Sequence, residues 1–297
     1  MTTAIDLARL PAPEVIPQLS FEAILSTWRA EFEARAPEAT GILDAEGSLL
    51  AKHAQAVAWF ALLVRQQAND QAKGCLLAYG WGATLDHMAA LFGVERLVIQ
   101  AADPSAEPPV PEIRESDDDL RRRVQLELEA FTTAATPGSI LAAVLGADGG
   151  VRDASVTSPA PLEADIYVLG RVGNGTPDAA VLAAVDAAMS DRREFGKVVR
   201  VHAAEVVEYQ IEADVYLFPG PAEGPVFETI RVSAEAFATA QHALARDITL
   251  SGLMAALHIH GVVQRVELVA PALPLVIDEH QAPYCTSITL NFAGRDE

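Results

Sequence analysis

The sequence predicts an α+β fold: an all-α N-terminal helical region over residues 1–100, followed by two related α+β units. Amphipathic segments at helical spacing fill the N-terminal part. Strand-like runs alternate with helices in the second half, and one helix–turn–strand segment occurs twice.

"LSFEAILSTWRAEFEARAP" places Phe21, Ile24, Leu25, Trp28 and Phe32 on one helical face, with Ser20 as N-cap and a stop before Pro37. This stripe packs either within its own domain or against a partner chain. A longer helix is expected from Ser48 to about Leu77, with Leu49, Leu50, Val57, Phe60 and Val64 among its apolar positions. Gly80 and Gly82 break it. A short helix restarts near Thr84, buries Leu85, Met88, Leu91 and Phe92, and ends at Gly93.

Pro104, Pro108, Pro109 and Pro111 cannot continue a helix, so residues 101–114 read as a linker. "ESDDDLRRRVQLELEAFTTA", from Glu115, then sets three aspartates against three arginines. Ser116 with Asp119 forms a variant capping box, and Asp117 and Asp118 fall in a first turn, where exposed amides favour negative charge. A helix start explains these acids without a metal. Arg121, Arg122 and Arg123 are expected to make ion pairs, internal or across an interface.

Residues 115–205 read as this helix plus a first α+β unit, and 206–297 as a second. "TPDAAVLAAVDAAMSD" reads as a helix capped by Thr176 with Pro177 at its first position. "SILAAVLGADGGVRDASVTSPA" from Ser139 aligns without gaps to "SGLMAALHIHGVVQRVELVAPA" from Ser251. Each copy reads as a short helix, a glycine turn and a strand. Two copies at this period do not make a solenoid.

The chain has 297 residues and a formal charge of −20, with 41 acidic against 21 basic residues. Phosphate backbones need clustered cations, so nucleic acid is not an expected partner. No basic-then-apolar leader opens the sequence, and the apolar run Ala56–Val64 is far too short to span a bilayer, so a soluble protein without membrane partners is expected. Cys75 and Cys285 suggest no disulfide framework.

Catalytic patterns are weak. "GRVGNGTPD" leads from a strand towards a helix, yet it lacks the phosphate-loop lysine and the dinucleotide glycine spacing. His258, His260 and His280 do not assemble a zinc set by spacing. Cys285 sits in a strand-like run, where a buried structural thiol fits better than a nucleophile. No catalytic residue, metal or cofactor is therefore assigned.

The ordered series "LPAPEVIPQLSFEAIL", "LLVRQQANDQAKGCLLAYGWGATLDHMAALFGVERL", "ESDDDLRRRVQLELEAF", "TPGSI", "VRDASVTSPAP", "GNGTP" and "APYCTSITLNFAGRDE" resembles the baseplate protein J family of contractile-tailed phages and phage-tail-like bacteriocins. The resemblance covers nearly the whole chain and implies a structural wedge protein without catalytic activity. It implies a second copy of the chain and one copy of a neighbouring baseplate protein I in each wedge. Six wedges then form a ring around a central hub, and a sheath-initiating protein W docks nearby. It further implies that the N-terminal helices enter a shared bundle, that the C-terminal domains link neighbours, and that the site of action is the tail baseplate, assembled in the bacterial host cytoplasm. The stripe Phe21, Ile24, Leu25, Trp28 and Phe32, together with Arg121, Arg122 and Arg123, are the expected partner contacts.

Two other classes compete with this expectation. A tail-associated cell-wall-degrading enzyme needs an acid pair or a metal in a cleft. A small adaptor or binding module acts in transient complexes rather than closed symmetric rings.

Overall fold

The computed structural model describes residues 7, 10–11, 15, 20–45, 47–131, 136–190, 198–220 and 222–295. The fold is mixed α and β, with a helical N-terminal region. Two compact units emerge: one holds Thr3–Glu95 and Asp117–Arg121, the other Arg96–Ser116 and Arg122–Glu297.

In the first unit, helix α1 (Phe21–Arg35) starts where the Ser20 hydroxyl accepts the Ala23 amide at 3.3 Å. After the short helix α2 (Thr40–Leu43), Ser48 caps helix α3 (Leu49–Gly74) in the same way, through the Ala51 amide at 3.1 Å. Both caps satisfy an amide that the helix itself leaves open. Helices α1 and α3 pack together. Helix α4 (Gly82–Ala90) buries Leu85 and Ala89. Leu91, expected in that buried face, is exposed. The helix has ended by then, and the chain turns through Gly93 at φ +74°, so helical periodicity no longer sets its direction.

In the second unit, the proline-rich stretch pairs with itself. Strands β1 (Val98–Gln100) and β2 (Ile113–Arg114) run antiparallel, and an Asp103–Val110 bridge continues the ladder. Helix α5 (Asp117–Ala130) begins directly after Ser116, and the division between units falls inside it. From its second-unit part, Val124 and Leu126 are buried, whereas Leu128 and, just past the helix end, Phe131 are exposed.

The rest of this unit forms two sheets. Helix α6 (Pro137–Ala147) leads into β3 (Val151–Thr157) and β4 (Glu163–Gly170); helix α7 (Ala179–Ser190) follows, then β5 (Val198–Ala203). Strand β6 (Glu205–Leu217) precedes helices α8 (Glu223–Gln241) and α9 (Leu250–Leu257), β7 (Val263–Ala270) and β8 (Gln281–Arg295). The strand orders are β3-β4-β5 and β7-β6-β8. In each sheet the centre strand is antiparallel to its first neighbour and parallel to its last.

The duplicated segment is visible as α6–β3 and α9–β7, whose strands start at the aligned residues Val151 and Val263. Helix α6 packs on β3 and α7, and α7 on β5; correspondingly, α9 packs on β7 and α8, and α8 on β8. The arrangement is shared but the chain order is not. The α6–β3 piece precedes its centre strand, whereas α9–β7 is inserted after the centre strand and its helix. The relationship is a duplication with a permuted path.

Each sheet has its own core. Val144, Ile166, Val168 and Val185 anchor the first, and Ile211, Val215, Ile230 and Leu253 the second. A third cluster, Leu169, Ala204, Leu244 and Ala282, joins residues from both. Strand β5 runs through Ala204 directly into β6, across the position where the two α+β units were expected to divide. The Ala204 amide donates to Val168 and the Glu205 amide to His280, at 2.9 and 3.0 Å. One extended segment is thus the edge of one sheet and the centre of the other.

Candidate assembly surfaces

The stripe residues Phe21, Ile24, Leu25, Trp28 and Phe32 do share one face of α1. Of these, Ile24 is buried and the other four are half-buried. Trp28 stacks on Phe32 with ring centroids 4.9 Å apart and tilts towards His53 of α3 at 6.4 Å. Part of this face is therefore spent on packing within the unit.

Helix α3 carries the stronger signal, and the sequence reading did not single it out. Its buried side chains are Ala51, Ala54, Ala58 and Asn69, while Leu49, Trp59, Phe60, Leu63 and Val64 are exposed. Trp59 is 56% and Phe60 66% accessible. At about 3.6 residues per turn, these large side chains project from the side opposite the alanines. Burying alanine while exposing tryptophan and phenylalanine is the reverse of a self-sufficient helix. The uninterrupted run Ala56–Val64 was the available clue, because a helix apolar all round has two faces to cover.

The three arginines do not form one patch. Arg121 donates to the carbonyls of Leu77 at 2.7 Å and Gly80 at 2.9 Å, and pairs with Asp118. Those carbonyls lie in the stretch where α3 has ended, so Arg121 pins the glycine break. Arg122 pairs at 2.7 Å with Asp153, whose other oxygen accepts the Leu244 amide at 3.0 Å. Arg123 pairs at 2.7 Å with the buried Glu115. All three ion pairs are internal.

The residues weighed for chemistry have structural roles or lie apart. In the "GRVGNGTPD" loop, Gly170 donates to the Gly175 carbonyl at 2.7 Å, and the Asn174 side chain accepts the Thr176 amide at 3.1 Å. Helix α7 starts at Ala179, later than expected. The Asp178 carbonyl, not that of Thr176, accepts the first helical bond, from Leu182 at 3.1 Å. Gly175, at φ +94°, faces His242: a methyl group there would come within 2.6 Å of Nε2.

His242 is buried, and its Nε2 has no hydrogen-bond partner. Burial, followed by the nearby positive charge of Arg152, lowers its pKa to about 4, so the ring is neutral near pH 7. Arg152 itself donates to the carbonyls of His242 at 2.9 Å and Thr239 at 2.8 Å. His258 and His260 are exposed at the end of α9, while His280 lies 3.3 Å from Glu205. Burial raises the Cys285 thiol, which disfavours the nucleophilic thiolate. Among the described residues no group of three or more His, Cys, Asp or Glu could hold a metal ion, and no helix is long and apolar enough to cross a membrane.

The chain is similar to known proteins of one family by sequence. Residues 46–103, which contain α3 and α4, match the baseplate J-like N-terminal domain. Baseplate protein J of Escherichia phage P2 is 41% identical over 300 residues, covering 99% of each chain. A chain in the six-fold symmetrised cryo-EM structure of the anti-feeding prophage baseplate aligns with a TM-score of 0.41 and 11% identity. That alignment covers 61% of this chain and less than half, 46%, of the other. With a relative this similar along its whole length, the chain belongs to the baseplate protein J family.

Proposed function

We propose that this chain is a structural wedge component of a contractile-tail baseplate, built into a ring around the central hub. The observation that carries the reading is α3, with alanines inward and Leu49, Trp59, Phe60, Leu63 and Val64 outward. Contiguous exposed apolar surface marks an interaction site, and a helix with apolar faces on both sides suits a bundle shared between chains. The half-buried rings of Trp28 and Phe32 on α1 extend the apolar character available to that bundle. The partners of this reading are a second copy of the chain, a neighbouring protein I and, nearby, protein W. The particle is assembled in the bacterial cytoplasm. No catalytic role is assigned, and the glycine loop is explained by its turns.

The test is the composition of purified contractile particles made with an epitope-tagged chain. The reading expects the tag in the baseplate at two copies for each protein I. Complete particles that lack the chain overturn it. Cell-wall hydrolysis by the purified chain, lost on changing one residue, favours the enzyme instead.

A further inference from the structure

Strand β8 is an edge of the second sheet, 15 residues long, and among the described residues its one strand neighbour is β6. A sheet edge leaves a row of amides and carbonyls open, and proteins usually blunt such edges with charge. The other edges of the two larger sheets follow this practice. Strand β3 carries Arg152 and Asp153, β5 carries Arg200, and β7 carries Arg265 and Glu267. From Gln281 to Gly294, β8 has no charged side chain, although the chain carries a formal charge of −20. Its exposed part includes Thr286, Ser287, Thr289 and Asn291. Between the two register shifts of β8, the uncharged edge from Ser287 to Phe292 is regular and suited to strand addition.

The neighbouring strand indicates what kind of segment fits. On β6, Ile211, Ala213, Val215 and Leu217 are buried beneath α8 and α9, which leaves Glu208, Gln210, Glu212 and Asp214 on the opposite face. Glu212 is in register with Thr289 and Asp214 with Asn291. Asp214 is also in register with Glu267 of β7. Arg265 lies over Tyr216 on this face and pairs with Glu267 at 3.0 Å, so the acidic excess beside β8 comes from Glu208, Glu212 and Asp214. A strand added to β8 lies two strand spacings, about 10 Å, from these carboxylates, roughly one screening length. Basic side chains on that face are attracted and acidic ones repelled. Edge-to-edge pairing of two copies brings two acidic faces together and is disfavoured.

We propose that the free edge of β8 takes an added strand from another baseplate chain, an extended segment with Lys or Arg at alternate positions. The proposal rests on the assembly role above but concerns a different surface from α3. The experiment is hydrogen exchange across residues 286–293, in the isolated full-length chain and in purified particles, with Ser287→Lys/Thr289→Lys as the variant. Strand addition slows exchange of the edge amides in particles by on the order of tenfold or more. The double variant melts like the parent and enters particles on the order of tenfold less well, because it places lysines against a basic strand. Equal exchange in both states overturns the proposal while leaving the assembly role standing. Normal incorporation of the variant overturns it too. Protection in the isolated chain that grows with concentration as dimers form assigns the edge to a second copy instead.

Discussion

Arg123 and Glu115 meet at 2.7 Å with both side chains almost out of solvent, at 12% and 1% accessibility. The same Glu115 oxygen accepts the Leu97 amide at 3.2 Å, and Arg96 donates to the Glu115 carbonyl at 2.6 Å. The pair therefore holds the base of the β1–β2 ladder to α5. A buried carboxylate is tolerable only while paired. Arg123→Met is expected to cost about 3–5 kcal/mol in denaturant unfolding, because it removes the ion-pair partner of the buried Glu115 and leaves it the Leu97 amide. The double variant Glu115→Gln/Arg123→Met should recover part of that loss. A single variant as stable as the parent contradicts the pair's role.

The neutral His242 makes stability depend on pH. Its folded pKa, about 4, lies below the ordinary 6.5, so below about pH 6.5 the unfolded chain binds a proton that the folded site refuses. This part of the stability is fully present above pH 6.5, falls as pH drops towards 4, and levels off below. At ~1.4 kcal/mol per unit the loss is about 3 kcal/mol. Melting curves at a series of pH values check it. His242→Phe should flatten the profile in that window, and an unchanged slope assigns the pH dependence elsewhere.

Gly175 is held at φ +94° against the His242 ring and Leu169. Gly175→Ala adds a methyl within 2.6 Å of both and strains the backbone, so a loss of about 1–3 kcal/mol is expected in thermal unfolding. An alanine variant that melts like the parent shows that the loop can open. Gly173 in the same turn, at φ +65° with open space around it, isolates the cost of backbone strain alone.

Trp28→Asp removes the stack on Phe32 and sets a carboxylate beside the α1–α3 packing. The cores around Ile166 and Ile211 are separate clusters in the other unit. Hydrogen exchange should therefore show faster opening of α1 and α3 with the β4 and β6 amides still protected. Loss of protection in those strands as well shows that the two units fold as one.

Local rules made much of the fold legible. Ser20 caps the helix it precedes, as expected, because an amide two or three residues on needs an acceptor; Ser48, expected as the first residue of the long helix, is its cap. The duplicated segment showed the α6–β3 and α9–β7 pairs through matching glycines and alternating apolar residues. Its permuted path was not legible, because chain order within each sheet is decided by long-range pairing. The proline-rich ladder was hidden for the same reason: the Asp103–Val110 bridge depends on residues that each look like linker. Among the assembly surfaces, the α1 stripe stood out by period. The outer face of α3 did not, since periodicity identifies an apolar face without saying which one the chain covers itself. The three arginines had the ion-pair chemistry expected of them, but sequence spacing could not show that Glu115, Asp118 and Asp153 are separate destinations.

The measurement closest to the central claim uses Phe60→Asp/Val64→Asp on the outer face of α3, scored for melting temperature and for incorporation into particles. Both side chains are exposed in the single chain, so unfolding stability should shift by no more than about 0.5 kcal/mol. In a shared bundle each carboxylate is buried without a partner, and the chain should be absent from purified particles. A variant that melts normally and does not assemble is the predicted result. A variant that melts normally and builds complete baseplates contradicts the account.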